Sequence, residues 1–211
     1  MLSKKSQFAF IHIPKTAGTS VYRALGGDED RDPLFGYSQN LGLQLQHLTA
    51  QEYVSYGFID ELEFKDYFKF CFVRNPWERL VSEWMWRTNN VPRYSIHRYF
   101  RLSLKSFFLK VPNWRGIAGS RIRRHVMPQY HFIYDDEGKL LVDYVARFEN
   151  LKSDFDRICD RLGLDRTALT WTNSSQEKTE RKDYRAYYDD ETYQMVKDFY
   201  IKDIEYFGYE F

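Results

Sequence analysis

Twice in this chain an apolar, β-rich run passes straight into a short polar loop and then into a helical pattern, and this doubled junction restricts the fold more than any other feature. The first starts with Gln7-Phe8-Ala9-Phe10-Ile11-His12-Ile13, continues through Pro14-Lys15-Thr16-Ala17-Gly18, and predicts a helix over 19–25 that stops at Gly26-Gly27. The second starts at residues 67–73, whose nearly unbroken apolar character suits a strand covered on both faces. It runs through Arg74-Asn75 into a helix opened by Pro76 in its first turn. Strands that each feed a helix predict an α/β sheet of mainly parallel strands, with ligands at the carboxyl ends of the strands. Both loops belong at that edge.

Further along, Thr49 and Glu52 form a capping-box pattern for a short helix. Leu151, Phe155, Ile158, Cys159 and Leu162 mark one face of an amphipathic helix ending at Gly163. A last helix starts at Asp189 or Asp190, with Tyr193, Val196, Phe199, Tyr200 and Phe207 on its apolar side. Residues 94–110 read as helix, 115–129 as a basic stretch of irregular pattern, 130–148 as holding one or two strands, and 28–42 and 172–185 as loops. A length of 211 residues without repeats suits a single domain, 1–211.

The net charge of +1 provides no field to attract nucleic acid, so any recognition of anions must be local. Cys71 and Cys159 lie inside apolar runs and read as small buried hydrophobes, natural in a reducing compartment. The apolar run near the N-terminus is short and carries His12, so it reads as a strand and not as a signal or a membrane span. The expectation is a soluble, cytoplasmic chain, or one facing the Golgi lumen if an N-terminal anchor has been trimmed away. The aromatic share of 18% reads as ordinary packing.

The loop Lys15-Thr16-Ala17-Gly18-Thr19-Ser20 has what a phosphate group needs: a mobile cation, hydroxyl donors, a glycine permitting close approach, and the N-terminus of a helix. It is not the nucleotide-triphosphate loop, in which Gly-Lys-Ser/Thr closes the motif. In the second junction an arginine fork at Arg74 suits a phosphate dianion, and Ser82, about two turns into the helix, offers a hydroxyl. Taken alone, Arg74 and Arg79 would read as surface cations near Glu78 and Glu83.

Phe10-Ile11-His12-Ile13-Pro14-Lys15-Thr16-Ala17-Gly18-Thr19-Ser20 and Arg74-Asn75-Pro76-Trp77-Glu78-Arg79-Leu80-Val81-Ser82 closely resemble the two donor-binding motifs of sulfotransferases. The donor of those enzymes is 3′-phosphoadenosine 5′-phosphosulfate (PAPS). The branch the chain looks most like contains the Golgi carbohydrate sulfotransferases and their bacterial relatives. The similarity continues through Arg147-Phe148-Glu149-Asn150-Leu151 and through Tyr200, Asp203 and Phe207-Gly208-Tyr209-Glu210-Phe211. The resemblance implies the P-loop-kinase-like three-layer α/β fold, with a central, mainly parallel sheet flanked by helices. It also implies that residues 15–20 hold the 5′-phosphosulfate and that Lys15 stabilises the leaving oxygen. Arg74 and Ser82 would bind the 3′-phosphate, and 3′-phosphoadenosine 5′-phosphate (PAP) would be the product.

Transfer to an alcohol needs a base for the hydroxyl proton and requires no metal in principle. The resembling branch uses a histidine in the segment corresponding to Gln44-Leu45-Gln46-His47-Leu48-Thr49, which carries the role to His47. His12, His97 and His131 read as structural, while Glu52, an acid within 28–32 and His125 are fallbacks. Arg115, Arg121, Arg123, Arg124 and His125 could wall an anionic acceptor, and Lys178, Arg181, Lys182 and Arg185 could form a lid over the nucleotide. The acceptor expected is a glycan hydroxyl. The competing readings are an ATP-dependent small-molecule kinase of the same fold and a nucleotide- or glycan-binding module without turnover.

Overall fold

The computed structural model describes residues 1–89, 102–113, 116–166, 169 and 182–211. They fall into two compact units, Met1–Arg74 with Gln129–Glu177, and Asn75–Pro128 with Lys178–Phe211. In chain order the strands are β1 (Leu2–Ser3), β2 (Phe8–Ile11), β3 (Tyr37–Ser38), β4 (Leu43–Gln44), β5 (Phe68–Val73) and β6 (Tyr144–Arg147), all in the first unit. The helices are α1 (Gly18–Ala24), α2 (Ala50–Ser55), α3 (Glu61–Asp66), α4 (Pro76–Asn89), α5 (Leu104–Lys110), α6 (Gly116–Val126), α7 (Leu151–Leu162), α8 (Asp190–Phe199) and α9 (Ile201–Phe207). Of these, α1, α2, α3 and α7 belong to the first unit.

The first unit bears out the expected α/β class. Its sheet has the order β1-β2-β5-β6, with β1 antiparallel at one edge and the other pairings parallel. Alternation along the strands puts Phe8, Phe10, Phe70 and Phe72 on one face, where Phe10 stacks on Phe70 with centroids 5.3 Å apart and meets Phe72 edge-on at 6.4 Å. Val21 and Tyr22 of α1 and Leu151, Phe155, Ile158 and Cys159 of α7 pack into the same core. On the opposite face Ala9, Ile11, Cys71 and Val73 are fully buried as well. That is why β5 is apolar at nearly every position: neither face meets water.

Local chemistry explains the helix ends. Thr49 Oγ1 accepts from Glu52 N at 3.1 Å while Glu52 Oε2 accepts from Thr49 N at 2.8 Å, the reciprocal capping box expected from the sequence. Gly163, at φ 64°, closes α7 in the left-handed conformation glycine tolerates.

In the second unit, Asn75 caps α4: its Oδ1 accepts from Trp77 N at 3.1 Å and Glu78 N at 3.3 Å, with Pro76 at the first helical position. Trp77, Leu80 and Val81 of α4 share a core with Phe107 of α5, Ile122 and Val126 of α6, and Val196 and Tyr200. Burial pushes the Tyr200 phenol above its ordinary range, so it remains a donor, and it gives its proton to Val126 O at 2.6 Å. Phe211 meets Trp77, Tyr184, Tyr188 and Tyr193 edge-on, so the C-terminal aromatic pattern is a packing device.

Three expectations are corrected. The stretch expected to be irregular contains α6, because Ile122 and Val126, four apart, supply a buried stripe. The single last helix is two, interrupted at Tyr200 (φ −103°, ψ 22°), whose side chain is drawn into the core. Residues 130–148 hold one strand, β6, within the one or two expected, preceded by a 3₁₀ turn, Gln129–Phe132. The stretch 28–42, read as loop, includes β3, which pairs with β4 just beyond it. Within the helix expected over 94–110, only α5 falls among the described residues; 94–101 lie outside them.

Two outcomes are expected. Replacing Thr49 with Ala should lower stability by about 1 kcal/mol in urea titration, because it removes one half of the capping box. Burial raises the Cys71 and Cys159 thiols above their ordinary range, so a thiol reagent at neutral pH should modify both only as the protein unfolds.

Candidate active site

The first loop leaves β2 through His12, Ile13 and Pro14. Lys15 (φ 69°) and Ala17 (φ 65°) are both left-handed, an arrangement that costs on the order of 1 kcal/mol per non-glycine residue. Bonds around the turn hold it there. Thr16, fully buried, donates its hydroxyl to Ile13 O at 2.9 Å; Val21 N donates to Ala17 O at 3.1 Å; Arg74 Nη1 donates to Lys15 O at 3.2 Å. Left-handed residues alternating along a turn aim successive amides toward one concave side, a natural anion cradle. The hydroxyl of Thr16 is therefore part of the brace, and its backbone amide is what it can offer a ligand. Ala17 caps α1 without a side-chain acceptor, Ser20 is buried, and Lys15 and Thr19 are half-buried.

At Gly18 the structure adds a second requirement to the close approach read from the sequence. A Cβ at that position would stand 1.8 Å from Cδ2 and 1.9 Å from Nε2 of His12, so the imidazole occupies the space a side chain would need. His12, itself buried, stacks on Phe10 with centroids 5.5 Å apart. The ring thus packs inside the first unit.

His47 ends a 3₁₀ turn, Leu45–His47, and is buried. This turn is tied to the hairpin by Gly36, whose N donates to Gln46 Oε1 at 2.9 Å and whose O accepts from Leu45 N at 2.8 Å. His47 Nδ1 lies 2.9 Å from His12 O, and because a carbonyl can only accept, Nδ1 carries the hydrogen. The neutral ring then has its lone pair on Nε2, the form a base requires. The two imidazoles meet edge-on at 4.6 Å. The structure thus brings His47, the Lys15 loop and, through its bond to Lys15 O, Arg74 to one end of the sheet.

Arg74 is buried, not a surface cation, and its guanidinium lies over the Phe148 ring at 4.0 Å. Its backbone is paired with Gln129: Arg74 N donates to Oε1 at 2.9 Å, and Nε2 donates to Arg74 O at 2.8 Å. Neither partner was singled out for this from the sequence. Phe148 stood inside a motif credited only with marking the family, and nothing in the pattern around Gln129 points to Arg74, far away in the chain.

The remaining candidates, Glu52 apart, lie in the second unit or outside the described residues. Ser82 is half-buried on α4. Arg79, read from the sequence as a surface cation, is buried, and it donates to the carbonyls of His125 at 2.9 Å and Met127 at 2.6 Å, at the negative end of α6. His125 Nδ1 faces Oε2 of the buried Glu83 at 3.0 Å, while Arg87 Nε donates to Glu83 Oε1 at 2.6 Å. Arg123 is exposed and Arg124 half-buried. Lys182 and Arg185 are exposed, the latter paired with Asp183 at 3.1 Å. Lys178, Arg181, Arg115 and His97 lie outside the described residues. Glu52, a fallback base, takes part in the capping box through Oε2. Among the described residues no helix is long and apolar enough to cross a membrane, and no group of His, Cys, Asp and Glu is arranged to hold a metal ion.

Comparison with known proteins decides what this arrangement belongs to. The model of the Sulfotransferase family matches residues 1–210. The chain belongs to the sulfotransferase family. Among its relatives is an uncharacterized protein of Archaeoglobus fulgidus, 28% identical over 119 residues that make up 56% of this chain and 87% of the relative. No solved structure matches. In this sulfotransferase the left-handed Lys15 loop and the buried Arg74 stand at the ends of the adjacent strands β2 and β5, the edge at which parallel sheets commonly receive ligands.

The crowding at Gly18 can be checked directly. Gly18→Ala should destabilise by about 1–3 kcal/mol in chemical denaturation, as overpacking does. In a His12→Ala background the same substitution should cost clearly less, because the colliding ring is gone. Equal costs in both backgrounds would show that the ring does not fill the space.

Proposed function

We propose that this sulfotransferase moves the sulfuryl group of PAPS to an acceptor hydroxyl on a carbohydrate, releasing PAP, with His47 as the base. The observation that carries the reading is the 3.2 Å bond from Arg74 Nη1 to Lys15 O, which joins the Lys15 loop and Arg74, the two segments assigned here to phosphates, at neighbouring strand ends. A donor with phosphates at its 3′ and 5′ positions calls for two such sites; ATP, with a single chain of phosphates, does not. The residues fit that donor. The amides of the left-handed turn and the Lys15 ammonium suit the 5′-phosphosulfate, and the Arg74 fork suits a 3′-phosphate dianion. Ser82 comes with Arg74 in the same motif and is assigned a hydroxyl contact to the donor. Arg123, Arg124 and His125 are assigned to an acceptor with anionic groups.

In this reading the acceptor oxygen forms its bond to sulfur as the bond from sulfur to the bridging phosphate oxygen breaks. The hydroxyl proton passes to His47 Nε2. Lys15 offsets the negative charge left on the departing 5′-phosphate, and His12 O keeps His47 in the tautomer that can accept. None of these steps calls on a metal ion. The family match over residues 1–210 supports treating 1–211 as one sulfotransferase domain, and two free, buried thiols suit a reducing cytoplasm.

Calorimetric titration with PAP, ADP and ATP–magnesium tests the donor. PAP should bind tightest, and Arg74→Ala should remove its advantage; equal or better binding of ATP–magnesium would overturn the reading. Under single turnover with PAPS and a panel of sugar acceptors, His47→Ala should slow transfer by about 10²–10⁴-fold with PAP affinity unchanged. Lys15→Ala should slow it by about 10²–10³-fold. A His47→Ala enzyme of normal rate would remove His47 from the chemistry.

A further inference from the structure

We infer that Gln129 and Phe148 are positioning residues that hold Arg74 in the one arrangement able to read the donor's 3′-phosphate; this rests on the PAPS reading above. Arg74 is the first residue beyond β5, and the ladder to β6 ends one residue earlier, at Val73 opposite Arg147. Its backbone would normally turn to water at that point, yet the residue is only 4% exposed. The fully buried Gln129 carboxamide takes over the role of a neighbouring strand, accepting from Arg74 N at 2.9 Å and donating to Arg74 O at 2.8 Å. The two backbone partners settle which end of the amide is oxygen, since an N–H only donates and a carbonyl only accepts. This clamp also sits where the chain leaves the first unit, after Arg74, and re-enters it, at Gln129.

The side chain is held at its far end too. The guanidinium lies 4.0 Å from the centroid of the Phe148 ring, and Nη1 donates to Lys15 O at 3.2 Å. A free arginine has many rotamers, and binding a phosphate would require most of them to be surrendered. Here backbone, plane and tip are ordered beforehand, so the phosphate meets a fork already in place. Neither Gln129 nor Phe148 needs to touch the nucleotide. Their effect is therefore confined to ligands that carry the group Arg74 reads.

This confinement is what the experiment measures. The discrimination ratio, Kd for adenosine 5′-monophosphate divided by Kd for PAP, is determined by calorimetry for the wild type, Gln129→Met, Phe148→Leu, Arg74→Ala and Arg74→Ala/Gln129→Met. Gln129→Met should lower the ratio by about tenfold, comparable to losing a charged hydrogen bond, with adenosine monophosphate affinity little changed. Phe148→Leu should lower it about threefold, as expected for a cation–π contact. In the Arg74→Ala background, where the ratio has already collapsed, Gln129→Met should add nothing. Equal weakening of both nucleotides by Gln129→Met, or a further fall in ratio in the double variant, would overturn the proposal. Should Gln129→Met fail to fold by circular dichroism, Phe148→Leu decides alone, and an unchanged ratio there would sink the idea. A wild type without preference for PAP would refute the donor reading itself, and the proposal with it.

Discussion

The parallel pairing of β2 with β5 is the constraint on which the candidate site depends. With Phe8 opposite Phe68 and Ile11 opposite Cys71, the two strands run the same way, and both of their loops emerge at one edge of the sheet. Lys15 and Arg74 thereby become neighbours, close enough for the arginine to donate to the lysine's own carbonyl. An antiparallel pairing would have sent the loops to opposite ends. The stacked phenylalanines on one face and the buried Ala9, Ile11, Cys71 and Val73 on the other secure the pairing, since a slip by one residue would exchange the two faces.

Within each unit the polar groups are arranged by one recurring device: a buried side chain that serves backbone atoms left over by the end of a strand, turn or helix. Thr16 satisfies Ile13, Gln129 satisfies Arg74, Gln46 satisfies Gly36, and Arg79 satisfies the carbonyls that close α6. Burial makes such partners necessary, because an unpaired buried amide or carbonyl costs about 1–3 kcal/mol. It also makes them useful. A loop with left-handed Lys15 and Ala17 can persist only where its surroundings overdetermine it. His12 shows the same economy: its ring fills the space beside Gly18 while its carbonyl orients His47.

Much of this was legible beforehand, and the legible parts are local. The apolar run of β5, the capping box at Thr49 and Glu52, Pro76 opening α4 and Gly163 closing α7 are each written within a few residues, where periodicity and backbone preference act. The helical register of α6 was hidden because its arginines interrupt the apolar stripe, and the break at Tyr200 because both halves continue one amphipathic pattern. Arg79 was misread for a related reason: charge alone suggests a surface, whereas the carbonyls that receive its guanidinium come from a helix well removed in sequence.

The sequence by itself determined the α/β class, the two strand–loop–helix junctions and the residue types they carry, because each follows from short-range order and from motifs whose chemistry is complete within one segment. Only the tertiary structure decided which groups those residues meet. That Gly18 makes room for His12, that Nδ1 of His47 carries the hydrogen, and that Gln129 and Phe148 hold Arg74 are all consequences of distant segments packed against one sheet end. Hydrogen bonds and ring contacts act over a few ångströms in space and are indifferent to separation along the chain, so no reading of neighbours in sequence could have supplied them.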